Sequence, residues 1–515
     1  MNNSVTLETK KNRKKKLMLN SISSFLLQGI TIICGLILPR LIISTYGSEV
    51  NGLVIAITQF LTVIAFLELG IGSVIQSALY KPLAEKDNES ISKIIASASK
   101  FFRRIARILV FYIIILIVIF PFIKESKFNA VYSGTLILSM GISSFAQYYF
   151  GVVDRLLLTA DQKGYIQYIA QSATLIFNTI ACVVLIRIGV GIQIIKLTTS
   201  IIYLVRPIFL RLYVNKHYGI NRKIKYEGEP IKQKWNGLAQ HIAAIVLDNT
   251  DTIVLTLFSN YSNVSIYGVY HLVVNGVKTL FTSMMSGVQS LFGELWAKQE
   301  LDELKRVFSR AEWTVHTIVT FSYGCTASLI IPFVMIYTRD VNDADYNVPL
   351  FAFLITIANA LHCLRLPYNM MILAGGHYKQ TQSNYIIAAL INIVTSIITV
   401  KIWGLIGVAI GTLVAMIYQT IWMAIYDSKN FINRPILEFI KHFIVNIVEF
   451  ATAFWICSFF TMKSLSYFSW IFLAFKCALV WGITIIVFNI IFYNKQLVSF
   501  FTRLINRIKK ANHAR

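Results

Sequence analysis

Residues 174–187 read TLIFNTIACVVLIR, and residues 388–401 read AALINIVTSIITVK. Both are Ile/Val/Leu/Thr-rich runs with an asparagine at the same place (Asn178, Asn392) and a cation at the end (Arg187, Lys401). The offset is about 214 residues (392 − 178 = 214), and it returns elsewhere: Ala160 falls on Ala374. One residue shorter, it sets Ala84, Asp87, Glu89 and Ile91 on Ala297, Glu300, Asp302 and Leu304, again just after an apolar run. Two residues longer, it sets Gly52 on Gly268, after the polar joints Ser48–Glu49 and Asn260–Ser265. Matches are easy in Ile/Leu-rich sequence, so the shared spacing carries the argument. The chain reads as two related halves, and membrane proteins so built place a substrate path where the halves meet. The repeat therefore points to transport.

Composition agrees. The 515 residues are 56% hydrophobic and only 14% charged, and the mean hydropathy is +0.64. A soluble chain of this length needs far more polar surface. Apolar runs long enough to cross ~30 Å of hydrocarbon predict about fourteen spans, near 18–43, 52–80, 105–123, 131–157, 165–188, 191–213, 237–258, 264–295, 313–337, 349–375, 383–402, 404–427, 442–461 and 468–493. Segments 52–80 and 264–295 are long and contain glycine, which predicts tilt, a break or an interfacial end. The fold class expected is an all-α polytopic membrane protein with two six-helix lobes related by a pseudo-twofold repeat and two additional C-terminal helices.

The net charge of +24 is unevenly placed. One alternating set of loops carries Lys10–Lys16, Lys81 to Arg107, Arg206 to Lys234, Lys298 to Arg310, Lys429 to Lys441 and Lys495 to Arg515. The other set holds only Lys124, Lys127, Arg187, Arg339, Lys401 and Lys463. Basic loops are retained on the cytoplasmic side, where anionic lipids attract them. Both termini are then cytoplasmic, which requires an even number of spans. The expected divisions are a basic tail (1–16), a first lobe (17–213), an interlobe loop (214–236), a second lobe (237–427), two extra helices (428–494) and a basic tail (495–515). The first apolar run is span-length and lacks a cleavage site, so it reads as a retained helix, not a signal peptide. The charged stretches 84–104 and 297–312 read as short amphipathic helices lying on the inner face.

Charges at membrane depth are functional candidates. Lys278 follows Asn275-Gly276 with Thr279, Thr282 and Ser283 nearby, and Arg365 lies in His362-Cys363-Leu364-Arg365-Leu366-Pro367, where the proline frees a backbone carbonyl. Both read as cavity cations. Arg40, after Pro39, is either a pathway residue or an interfacial anchor; Lys196 and Lys476 read as snorkelling or lipid-facing. Asp248 and Asp251 are three apart, on one face of a polar helical turn, and suit a cation, a proton or pairing with a nearby lysine. Asp154-Arg155 reads as a structural pair, and Glu68 sits among glycines that permit close helix packing. The six cysteines fall inside spans without paired spacing and read as small core residues.

There is no Walker phosphate loop, His-Glu-x-x-His, Cys-x-x-Cys or nucleophile elbow, so neither ATP hydrolysis nor any other enzyme activity, and no metal or cofactor, is expected. The basic runs flank membrane segments and lack stacking platforms, which argues against nucleic acid. No outward loop exceeds roughly a dozen residues, too short for a catalytic domain.

At the level of motifs, Leu38-Pro39-Arg40-Leu41 with Tyr46-Gly47-Ser48-Glu49-Val50-Asn51-Gly52, Glu68-Leu69-Gly70-Ile71-Gly72-Ser73 and Asp248-Asn249-Thr250-Asp251 resemble the polysaccharide branch of the multidrug/oligosaccharidyl-lipid/polysaccharide exporter superfamily. The resemblance spans nearly the whole chain. It implies a flippase for undecaprenyl-pyrophosphate-linked sugar repeat units, working in a bacterial cytoplasmic membrane for capsule, exopolysaccharide or O-antigen synthesis. Lys278, Arg365 and Arg40 would hold the pyrophosphate, and Asp248, Asp251 and Glu68 would couple an ion. Anionic membrane lipids, a polysaccharide polymerase and chain-length machinery are the partners it implies. A lipid II flippase and an ion-coupled multidrug antiporter are the alternatives within the superfamily; a membrane polysaccharide polymerase is the alternative outside it.

Overall fold

The computed structural model describes residues 2–63, 66–122, 128–226, 228, 238–499 and 502; the side chains of residues 2–15, 17, 66–70, 73, 238–245, 248 and 286 are outside the description. Every regular element among the described residues is helical. In chain order the first helices are α1 (Asn2–Tyr46), α2 (Ser48–Thr62), α3 (Phe66–Glu85), α4 (Asn88–Ile119), α5 (Ala130–Ala146), α6 (Val152–Ala160), α7 (Gly164–Arg187) and α8 (Ile192–His217). After them come α9 (Leu238–Phe258), α10 (Tyr261–Ala297), α11 (Leu301–Tyr337), α12 (Pro349–Leu364), α13 (Leu366–Ala374), α14 (Tyr378–Trp403), α15 (Leu405–Asp427), α16 (Leu437–Cys457) and α17 (Tyr467–Phe492).

Eleven of the described helical stretches are long and apolar enough to cross a membrane, with mean hydropathies between 1.4 and 2.8 over their most apolar windows. Their outward surfaces are apolar: on α17, Phe468 and Phe475 are 83% and 63% exposed. Their inward surfaces carry buried Asn178, Asn392, Gln419 and Asn489. Apolar outside and polar inside is the distribution that hydrocarbon imposes, because only internal partners satisfy polar groups there. The chain is a multi-pass membrane protein.

Two expectations meet their test here. In the stretch 52–80, α2 ends at Thr62 and α3 starts at Phe66, with residues 64–65 outside the description, whereas α10 runs unbroken for 37 residues despite its glycines. The amphipathic stretches 84–104 and 297–312 are not separate helices. Asp87 caps α4 by accepting from the backbone N–H groups of Glu89 (3.1 Å) and Ser90 (3.0 Å), and α4 then continues for 32 residues; α11 begins at Leu301 and continues for 37. Nothing in either sequence breaks the i→i−4 ladder at the membrane boundary, so amphipathic start and apolar span fuse into one helix.

The chain forms two compact units, one of residues 1–245 with 260–265 and one of 246–259 with 266–515. In the first, α1 packs along α7, α5 along α8, and α7 along α8. Gly52 matters there, since a Cβ on it would stand 1.8 Å from the carbonyl oxygen of Tyr261, and Asn51 Nδ2 donates to Ser265 Oγ at 2.8 Å beside it. Only a residue without a side chain lets those backbones approach so closely. The first unit also takes in the start of the interlobe stretch: Arg222 reaches the fully buried Asp154 at 2.5 Å, and the Asn221 N–H donates to Ser92 Oγ at 3.0 Å. The partner of Asp154 is therefore Arg222 and not its sequence neighbour Arg155. Adjacent residues point to different sides of a helix, while a loop 68 residues away is free to reach in.

In the second unit, α14 pairs closely with α15, and α16 and α17 pack on α11. Gly411 makes the α14–α15 contact possible, since a Cβ there would stand 2.1 Å from Ser396 Oγ and 2.8 Å from its backbone nitrogen.

Candidate functional site

Asp251 is 4% exposed on α9 and is surrounded by polar side chains from other helices. Thr412 Oγ1, from α15, lies 2.7 and 2.6 Å from its two carboxylate oxygens. The Tyr267 hydroxyl on α10 donates to it at 3.0 Å, and Asn392 Nδ2 on α14 lies at 3.4 Å. Asn392 Nδ2 also donates to Thr412 Oγ1 at 3.0 Å, while Asn392 Oδ1 and Ser396 Oγ are buried without a hydrogen-bond partner. Three helices besides α9 thus converge on one carboxylate, with two idle oxygens among the same residues. Oxygen ligands gathered around a buried carboxylate suit a hard, small cation. Asn392 was marked by the repeat, but Thr412 and Tyr267 carried no local signal, because their importance comes from facing Asp251 across helix interfaces. Among the described residues no cluster of three His, Cys, Asp or Glu side chains suits a metal ion.

Asp248 lies on the same helix, and Glu68 on α3, but both side chains are outside the described residues. Arg40 is half-buried six residues before the end of α1, one position after Pro39.

The two expected cavity cations of the second unit lie on α10 and at the α12–α13 joint. Arg365 is 5% exposed at the joint between α12 and α13, where Pro367 ends one hydrogen-bond ladder and opens the next. One guanidinium nitrogen of Arg365 lies 2.9 Å from His362 Nδ1, which must accept there and so carries no proton. Lys278, half-buried on α10, and Arg365 both act electrostatically on His362 and on Cys363. Residues 278 and 365 are remote in sequence, and only the packing of α10 against the broken α12–α13 element joins their fields.

A second polar centre in this unit escaped the sequence reading. Glu312, fully buried on α11, accepts from both terminal nitrogens of Arg434 (one at 2.6 Å) and from the Tyr368 hydroxyl on α13. His442 Nε2 on α16 stands 3.7 Å away, and Asn446 contacts His316 Nδ1 at 2.7 Å. Burial works against the charge of Arg434, but its hydrogen bonds to Glu312 hold its pKa above the ordinary arginine value. The centre ties α16 to α11 and α13.

All six cysteines are free thiols, five of them buried and Cys325 half-buried. Lys196, expected to snorkel or face lipid, is half-buried and lines a cavity inside the first unit.

No family model matches the chain, and no curated protein sequence matches it. Twenty-eight solved chains do match it in three dimensions. The lipid II flippase MurJ, in an inward closed conformation, superposes with a TM-score of 0.71 over 93% of this chain and 100% of its own, at 16% identity. An inward-facing multidrug-resistance MATE family transporter of the MOP superfamily gives 0.64 over 78% and 94%, at 15% identity. A Pyrococcus furiosus MOP superfamily transporter, described as having a binding pocket of reversed polarity, gives 0.55 over 82% and 97%, at 14% identity. The chain shares its fold with these three solved structures. At these identities the likeness concerns architecture, and it bears out the helical transporter-type fold expected from the sequence.

Proposed function

We propose that the chain moves undecaprenyl-pyrophosphate-linked oligosaccharide repeat units across a bacterial cytoplasmic membrane by alternating access, for capsular, exopolysaccharide or O-antigen synthesis. Both termini lie on the cytoplasmic side in this reading, as the loop charges require. The observation that carries it is Arg365, 5% exposed at the break between α12 and α13 with His362 Nδ1 at 2.9 Å. A cation held at membrane depth marks a functional site, and a pyrophosphate headgroup brings the matching charge, with Lys278 on α10 as the second candidate. Arg40 is the third candidate for the headgroup. The lipid tail stays in the bilayer while the glycan crosses, since a polar glycan cannot enter hydrocarbon unaided. Rocking of two repeat-related lobes moves the headgroup across.

With no phosphate loop in the chain, the drive is an ion gradient, the membrane potential or removal of product. Asp251, within its ring of Thr412, Tyr267 and Asn392, is the leading coupling site for a small cation, with Asp248 and Glu68 as the other candidates. Anionic lipids at the basic loops, and a polymerase with its chain-length machinery taking the product, are the partners of this reading.

A second reading, lipid II transport, is favoured by the extent of the superposition on the lipid II flippase MurJ. Reconstitution into liposomes separates the two. Fluorescent lipid-linked repeat units are expected to become accessible to a membrane-impermeant quencher, with lipid II moving at least tenfold more slowly. Lys278→Ala and Arg365→Ala are each expected to lower the rate tenfold or more. Unchanged flipping in the double variant, with normal insertion, refutes the headgroup role; preferential movement of lipid II transfers the assignment to the second reading.

A further inference from the structure

The repeat that relates Asn178 to Asn392 also relates Cys182 to Ser396 (both 214 apart) and, one residue shorter, Thr199 to Thr412. The second-unit members surround Asp251. The first-unit members line a cavity of about 240 Å³ bounded by α1, α2, α5, α7 and α8. The charged group in that cavity is Lys196. The repeat-related residues therefore neighbour a carboxylate in one unit and line a cavity with an ammonium in the other. Among the described residues no hydrogen bond or ion pair engages Lys196, and no carboxylate lines the cavity. An ammonium one turn inside a membrane-spanning helix is expensive without an anion beside it.

The rest of the lining says what kind of anion fits. Thr58, Thr62, Ser143 and Ser200 donate their hydroxyl protons to backbone carbonyls, to Val54 (2.7 Å), Gln59 (2.8 Å), Met140 (3.1 Å) and Ser139 (2.5 Å). Their oxygens then face the cavity as acceptors only. Ser144 and Tyr203 hydroxyls, with the Asn178 amide and Lys196, remain as donors. An inorganic ion such as chloride uses donors and leaves the acceptors idle. A ligand carrying both a carboxylate and several hydroxyls uses both sets. The volume equals about eight waters, enough for one sugar ring and too large for a lone halide.

We propose that the first unit contains a binding site for an acidic sugar, with Lys196 holding the carboxylate and the hydroxyl-lined wall holding the ring. This deepens the flippase reading and rests on it: the transported glycan would be one that carries a uronic-acid-type residue. Lys196 is a binding residue in this scheme.

The test uses the full-length chain in nanodiscs, titrated with glucuronate, glucose and sodium chloride at constant ionic strength. Glucuronate is expected to bind saturably, glucose at least tenfold more weakly, and chloride without competing. Lys196→Met should weaken glucuronate at least tenfold while keeping the fold, since it removes a costly charge; Ser144→Ala, which leaves that charge in place, should weaken it several-fold. Absent glucuronate binding, equal binding by Lys196→Met, or full competition by chloride overturns the proposal. In liposomes, wild-type chain should flip a uronic-acid-containing lipid-linked glycan at least tenfold faster than a neutral one, and Lys196→Met should lose that preference. Equal flipping of both glycans by both proteins overturns the acidic-sugar site and leaves the flippase reading standing. If no lipid-linked glycan moves while glucuronate binding still depends on Lys196, the flippase reading fails and the site stands.

Discussion

Glu312 and Arg434 offer the sharpest energetic test in the molecule. The carboxylate is fully buried, the guanidinium side chain is 7% exposed, and two nitrogens of one meet two oxygens of the other. Glu312→Ala leaves a buried guanidinium with Glu438, itself 52% exposed and 3.1 Å away, as its remaining hydrogen-bonded carboxylate, and strips the Tyr368 hydroxyl of its acceptor. Breaking one side of such a pair costs about 3–5 kcal/mol, and an exposed carboxylate returns at most about 1 kcal/mol of that. Arg434→Ala leaves a carboxylate held by Tyr368 and His442 alone, at a similar cost. The double variant carries neither stranded charge and is expected to lose clearly less than the sum, with a coupling of roughly 3 kcal/mol. Equilibrium unfolding of the purified protein in mixed micelles, run as a double-mutant cycle, measures that coupling. Additivity within about 0.5 kcal/mol would show that the pair is not the unit that ties α16 to α11, and the reasoning would fall.

Asp154→Ala leaves Arg222 beside an apolar hole and is expected to destabilise the first unit by about 3 kcal/mol, with protease access to residues 218–226 rising in parallel. Unchanged cleavage there would separate the ion pair from the docking of the stretch. Gly52→Ala places a methyl group against the Tyr261 carbonyl and should cost about 1–3 kcal/mol in the same unfolding assay, more than alanine costs at the open Gly29. Equal effects at the two glycines would contradict the close approach. Hydrogen bonding to Ser90 lowers the Asp87 pKa below 3.8. The cap's contribution is therefore fully present above 3.8 and is lost only as pH falls through the lowered value, so amide protection at Glu89 and Ser90 should persist through mild acid. Loss of that protection well above 3.8 counts against the cap.

Much of this architecture is legible along the chain because it is a response to solvent. A span must be apolar for about 20 residues wherever it packs, so hydropathy alone marks α4, α11 and α17. The repeat is equally local information, and it pointed at Asn392 before any partner was visible. What the chain order withholds is who faces whom. Within one helix, contacts lie three or four residues apart, so Asp248 and Asp251 can be placed on one face by counting. Between helices no counting rule exists, and the partners of Asp251 are Tyr267, Asn392 and Thr412, 16, 141 and 161 residues away. Lys196 makes the point from the other side. Its sequence position near a helix end suggests a cation reaching for water, yet the packing of five helices turns it inward.

Hydropathy along the chain settled the membrane class, because transfer free energies act residue by residue, while the repeat and the loop charges set expectations for two lobes and for the side of the membrane. Tertiary structure decided which charges are paired, which are stranded and which enclose a cavity, because those depend on distances of a few ångströms between helices in a medium where an unpaired charge is costly.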